Sequence, residues 1–147
     1  MYEIINTLHH YNRWLLVCSV AFVLASSLSG WLNKKDYSKL DNIAGASAVG
    51  FAHLQLLLGL ILYFGLSPIM QAVFADFGAA MKDSALRFYA VEHILTGVLG
   101  VAAIQFGRIK TKKAKTDIQK HKQMFIYTVL ALVLFLSRMP NFHLTQG

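Results

Sequence analysis

The sequence predicts an all-α integral membrane protein: a four-helix bundle of spanning helices with a short interfacial helix between spans two and three. Two observations point there. Apolar residues make up 56% of the 147 residues and charged residues only 14%. A soluble domain carries about 45–50% and about 25% respectively, and the mean hydropathy of this chain is positive. The apolar residues are also gathered into runs long enough to cross about 30 Å of hydrocarbon at about 1.5 Å per residue. This composition excludes a soluble globular enzyme and a disordered chain. The length fits a single membrane domain over residues 1–147.

The first span is read at 11–32 (YNRWLLVCSVAFVLASSLSGWL). A signal peptide needs a basic stretch before its apolar run, but only Glu3 is charged there, and Lys34 and Lys35 follow the run instead. That order belongs to a retained helix. After the polar loop KKDYSKLDN comes the second span, 43–66, stopped by Pro68. Met70, Val73, Phe74, Phe77 and Met81 then recur at helical spacing, with Asp76, Lys82 and Asp83 opposite or just beyond. The segment 69–84 is therefore expected as one short helix on the membrane surface. The third span is 86–107, and the fourth is 124–139, closed by Pro140.

The formal charge of +7 is distributed by loop. Lys34, Lys35 and Lys39 follow the first span, and Arg108, Lys110, Lys112, Lys113, Lys115, Lys120 and Lys122 follow the third. Both loops fall on one side, which the positive-inside rule places in the cytoplasm, with both termini outside. Charge thus serves orientation, and nucleic acid is not expected as a partner. Cys18 is the single cysteine, so there is no intrachain disulfide, and no C-x-x-C-H motif is present for covalent haem attachment.

Ionisable residues inside hydrocarbon cost about 2.5–3.5 kcal/mol each and call for a reason. The second span carries His53, and the third Glu92 and His93. His9, His10 and Arg13 stand at the outer end of the first, and His121 at the inner start of the fourth. His53 is roughly 15 Å deep from the inner face and His93 roughly 10 Å from the outer face, so their levels differ by only about 5 Å. Two imidazoles converging in an apolar interior suit the axial positions of haem iron. His53 and His93 are thus expected as the ligand pair for haem b, with His9 and His121 as alternative ligands.

One haem is preferred. Diagonal pairs, His9 with His93 and His53 with His121, would make two, but the inner pair is mismatched in depth. Gly97 and Gly100 share the face of His93, and Gly50 precedes His53 by three residues, although small residues also let membrane helices pack closely. Arg13 and Arg87 could hold haem propionates at the outer surface, and Arg13 shares a face with His9. Glu92 suits a proton relay beside a quinone, or an ion pair with Arg13 or Arg87. Gln55 could hydrogen-bond a quinone carbonyl or a neighbouring helix. A three-histidine zinc or copper site drawn from His9, His10, His93 and His143 is a weaker alternative.

The segments LHHYNRW at 8–14, FAHLQLLLGLILYF at 51–64, MKDSALRFYAVEH at 81–93, GRIKTKKA at 107–114 and HKQMFIY at 121–127 resemble a family of small bacterial four-helix membrane proteins labelled cytochrome b-like. The resemblance covers nearly the whole chain. It singles out His9, Arg13, His53, Gln55, Lys82, Arg87, Glu92, His93, Arg108 and His121. His10 stands where other members carry a small or polar residue, and His143 lies outside the resemblance. What it implies is a multi-pass protein of the bacterial inner membrane, in contact with lipid. It implies haem b, and electron transfer between membrane quinol and another membrane or redox protein rather than turnover of a substrate. The contrasting expectations are a haem-free accessory subunit of a membrane complex, or a quinone- or metal-binding membrane protein.

Overall fold

The structure, a computed structural model, describes residues 1–138. The last residue of the fourth predicted span, Met139, and also Pro140 and His143, lie outside the described residues. All regular structure in the described residues is helical. The helices are α1 (Tyr2–Leu32), α2 (Lys39–Ile61), α3 (Pro68–Ala75), α4 (Phe77–Lys82), α5 (Ser84–Arg87), α6 (His93–Lys113) and α7 (Asp117–Ser137). A wide π turn at Leu62–Leu66 extends α2, and another at Phe88–Glu92 leads from α5 into α6.

Among the described residues three helical stretches are long and apolar enough to cross a membrane, Tyr2–Leu32, Lys39–Leu66 and Ser84–Lys113; α7, which carries the described part of the fourth predicted span, is not among them. Each outruns the span read from hydropathy. A hydropathy run ends where polar residues begin, whereas a helix continues until its hydrogen-bonding pattern is capped. The start of α2 shows this. Ser38 accepts from the Asp41 amide at 3.2 Å while the Asp41 carboxylate accepts from the Ser38 amide at 2.9 Å, a capping box that starts the helix before the apolar run at Ile43. Likewise α7 starts at Asp117 behind the Thr116 cap, ahead of the apolar run at Met124. Between α1 and α2, Lys34 adopts φ 54° and the Lys35 amide reaches back to the Gly30 carbonyl at 2.9 Å, a left-handed close usually given to glycine.

The expected single interfacial helix over 69–84 is instead two short ones, α3 and α4, before the long stretch that begins with α5 at Ser84. The Asp76 carboxylate accepts from the Ala79 amide at 3.1 Å, and Asp83 accepts from the Ala85 and Leu86 amides. Each aspartate satisfies the free amides of a new helix start, which favours a break over continuation.

The four long helices pack in a cycle. Helix α1 lies on α2 and α7, and α6 lies on the same two partners, so α1 stands across from α6. The centre is made of small and medium apolar groups, among them Val20, Ala48, Ala52, Ile104, Met124 and Ala131. Larger apolar side chains point away from it: Phe22, Leu57, Phe64, Phe106 and Val133 are each at least half exposed. Close approach is bought with glycine. A Cβ on Gly107 would lie 2.4 Å from the Tyr127 Cβ, and one on Gly100 would lie 2.5 Å from the Phe135 ring.

The chain thus has two polar ends. At one, the end of α1 and the starts of α2 and α7 meet the end of α6: His121 packs on Gly30, and Arg108 bonds Asn42. At the other, His9 of α1 meets Gly59 of α2, and His93 of α6 meets Arg138 after α7.

Candidate functional site

The second of these ends holds a cavity of about 380 Å³, lined among others by His9, Arg13, Gln55, Tyr89, His93 and Gly97. The volume falls in the range of small-molecule and cofactor sites, about 300–1,000 Å³. The helices position the side chains as follows. His9 and Arg13 are one turn apart on α1. Gln55 and Gly59 are one turn apart on α2. His93 and Gly97 are one turn apart on α6, and nothing lies within 4 Å of a Cβ added to Gly97, so this glycine leaves open space beside the histidine.

Hydrogen bonds set the tautomers of the two histidines. His93 Nδ1 lies 2.9 Å from the Arg138 carbonyl oxygen. A carbonyl only accepts, so Nδ1 carries the proton and Nε2 keeps its lone pair. An imidazole held this way is poised as a metal ligand. Its ring also stacks on Phe88 at 5.9 Å.

His9 is set differently. Asn12 Nδ2 donates to the Phe51 carbonyl at 3.0 Å and to Gln55 Oε1 at 2.9 Å. Gln55 therefore turns its NH2 group toward His9 Nε2, 3.5 Å away. His9 Nε2 accepts, and its Nδ1–H is a donor. That Nδ1 is buried without a partner among the described residues, as is Arg13 Nε. The Arg13 guanidinium also donates to His10 Nδ1 at 2.8 Å and lies over the Trp14 ring. The cavity is therefore lined by His93, which keeps a lone pair at Nε2, and by His9 and Arg13, each of which buries one nitrogen without a partner among the described residues.

The sequence placed His53 and His93 together, and the structure does not. His53 is exposed, outside the cavity, and 2.7 Å from Gln105 Oε1. Position along a span sets depth but not direction around the helix. Gln55, two residues on and about 200° around the helix, lines the cavity with Leu56, Gly59 and Leu60 of α2. His121 sits at the opposite end, fully buried, with Nε2 donating to the Asp36 carbonyl at 3.3 Å. The inner pair of His53 and His121 is therefore not assembled either. Arg87 folds back onto the Met81 carbonyl at 3.1 Å rather than toward the cavity. Glu92 pairs with Arg138 at 3.2 Å, not with Arg13 or Arg87.

Among the described residues no group of three His, Cys, Asp or Glu side chains is placed to hold a metal ion. His9, His10 and His93 make no such group, and His143 is outside the described residues. Asn12 and Arg138 were not singled out from the sequence, yet they orient Gln55 and His93. Asn12 left a trace there, as a polar residue interrupting the first apolar run one turn after His9. Arg138 left none, because its carbonyl rather than its side chain holds His93.

The fit to haem is thus partial. His93 Nε2 suits an iron ligand, the small residue at Gly97 leaves room for a flat ring, and Arg13 suits a propionate. His9 in its hydrogen-bonded form is a donor beside the ligand, not a second lone pair. No family model, curated protein or solved structure matches the chain.

Proposed function

We propose that this chain is a cytochrome b-like protein of the bacterial inner membrane, a four-helix bundle with both termini outside. It would hold haem b in the α1/α2/α6 cavity and pass electrons between membrane quinol and a partner protein. The observation that carries the reading is the fixed tautomer of His93, whose Nε2 lone pair faces away from the Arg138 carbonyl in a cavity shared with His9 and Arg13. Membrane insertion is supported by inverted burial, with small side chains inside and Phe22, Leu57 and Phe106 outside. The orientation is supported by the basic end around Arg108, Lys112 and Lys120.

Bound haem supplies a one-electron redox centre. The chain's own residues have distinct tasks. His93 presents a neutral nitrogen, and the Arg138 carbonyl keeps it in that form. His9 places an N–H on the other wall. Arg13 offers positive charge at the rim to a carboxylate. Gly97 keeps the wall open.

The test is a reduced-minus-oxidised optical spectrum of the detergent-purified protein, expressed with ample haem supply, with haem counted per chain. One b-type haem per chain is expected. Colourless protein ends the haem reading.

One observation favours a second reading. His9 Nδ1 and Arg13 Nε are buried donors without acceptors among the described residues, and a quinone carbonyl entering beside them would supply an acceptor. In haem-free protein, a quinone analogue should then quench fluorescence from Trp14 beside Arg13. No quenching removes this reading.

A further inference from the structure

The opposite, basic end holds a second cleft, of about 320 Å³, lined by Tyr37, Lys39, Asn42, Arg108, Lys112 and Lys120 among others. Its floor is Arg108, whose residue is only 5% exposed. Burying a guanidinium is costly unless its charge is met. The groups that meet it here are neutral. Nη1 donates to the Tyr37 hydroxyl at 3.2 Å, and Nη2 donates to Asn42 Oδ1 at 2.6 Å. Burial holds the Tyr37 hydroxyl above its ordinary range in spite of Arg108, so it stays a neutral phenol and lends no negative charge.

No carboxylate among the described residues pairs with Arg108. Asp41 is occupied by Ser38 and by the Ser26 hydroxyl of α1. Among the described residues Arg108 forms no ion pair, the one salt bridge being Arg138 with Glu92. The three lysines around the cleft add charge of the same sign. Gly45 keeps the wall low enough for the guanidinium, since a Cβ there would lie 3.1 Å from Nη1. A buried fork of donors under a ring of ammonium groups, with no carboxylate paired to it among the described residues, matches the donor set used for tetrahedral oxyanions.

We infer that the cleft between the α1–α2 loop and the ends of α6 and α7 binds a phosphate group, seated on Arg108 and rimmed by Lys39, Lys112 and Lys120. The phosphate could belong to an anionic phospholipid headgroup at the inner leaflet or to a soluble phosphate ester, and both present the same oxygens. The site is independent of the cofactor proposed for the other end, so an optical spectrum and a phosphate titration succeed or fail separately.

The experiment uses the full chain purified in a zwitterionic detergent. Inorganic phosphate is titrated in one arm. In the other, the protein is placed in nanodiscs of phosphatidylglycerol or of phosphatidylcholine, and thermal stability and retained lipid are measured. Stabilisation by inorganic phosphate, competing with phosphatidylglycerol, assigns a soluble phosphate. Selective retention of phosphatidylglycerol that phosphate does not displace assigns the headgroup. Because Arg108→Gln could prevent folding, the decisive variant is Lys112→Gln with Lys120→Gln, at the rim. Each lost lysine should weaken binding about fivefold. Indifference of the wild type to both probes, or equal binding by the rim variant, overturns the inference.

Discussion

Gly107→Ala is a direct test of the helix packing. An added Cβ at position 107 would lie 2.4 Å from the Tyr127 Cβ and 3.2 Å from its Cγ. Carbon atoms rest at about 3.5–4.0 Å, so α6 and α7 must part by about 1 Å. The Tyr127 Cβ is tied to its backbone and cannot swing aside as a ring tip could. Overpacking of this kind costs about 1–3 kcal/mol. Alanine is favoured over glycine inside a helix by about 0.5–1 kcal/mol. The net loss is then about 0–2.5 kcal/mol, centred a little above about 1 kcal/mol. Gly50→Ala is the matched control: nothing lies within 4 Å of its added Cβ, so only the helix gain remains, up to about 1 kcal/mol. Heating the detergent-purified variants and following helix content by circular dichroism reads the difference. A domain near this length shifts by about 2–4 °C per kcal/mol. The midpoint should fall by several degrees for Gly107→Ala and hold or rise for Gly50→Ala. Equal midpoints, or loss in both, would refute the close approach of α6 and α7.

Further outcomes follow from the same geometry. His93→Ala should release haem, whereas His53→Ala should keep it, read as Soret absorbance after purification; loss in the His53 variant alone would return the site to α2. Gly97→Leu starts from a Cβ position with nothing within 4 Å, so the fold should survive and haem content should fall, with circular dichroism and haem counting as paired readouts. Lys34→Gly relaxes a left-handed residue and should stabilise the chain by about 1 kcal/mol, checked by the same thermal melt. Ser38→Ala removes half of the capping box and should cost about 1 kcal/mol, checked alongside it.

Much of the scaffold could be read from apolar runs alone, because a run long enough to cross hydrocarbon must form a helix to pair its own backbone groups. Where such a helix starts could not be read that way. The capping box at Ser38 and Asp41 and the Thr116 cap lie in polar sequence that a hydropathy window passes over. The same holds for Asp76 and Asp83, whose carboxylates look like the polar face of one helix yet start two others. In the candidate site, His9, Arg13, Gln55 and His93 were all legible as costly polar groups in apolar runs. Their grouping was not, because rise along an axis tells depth while rotation decides the neighbour. His53 is the residue on which the two differ. Arg138 was illegible for another reason: its contribution to His93 is a backbone carbonyl, which every residue possesses.

The bond from Asn12 to the Phe51 carbonyl has a consequence beyond the cavity. Helix faces interlock as ridges and grooves, and because these repeat along the axis a shift of one turn can offer a second interlocking, so apolar contact discriminates only weakly between alignments. A side-chain amide gripping one particular backbone oxygen allows a single vertical alignment of α1 on α2. It fixes the level at which His9 meets Gly59, much as a pin fixes two rulers. The outward apolar side chains are then free to vary in identity, because alignment does not depend on them. Sequence drift on the outer faces of α1 and α2 should leave the cavity intact, while an apolar replacement of Asn12 should leave both helices formed and the cavity wall out of register.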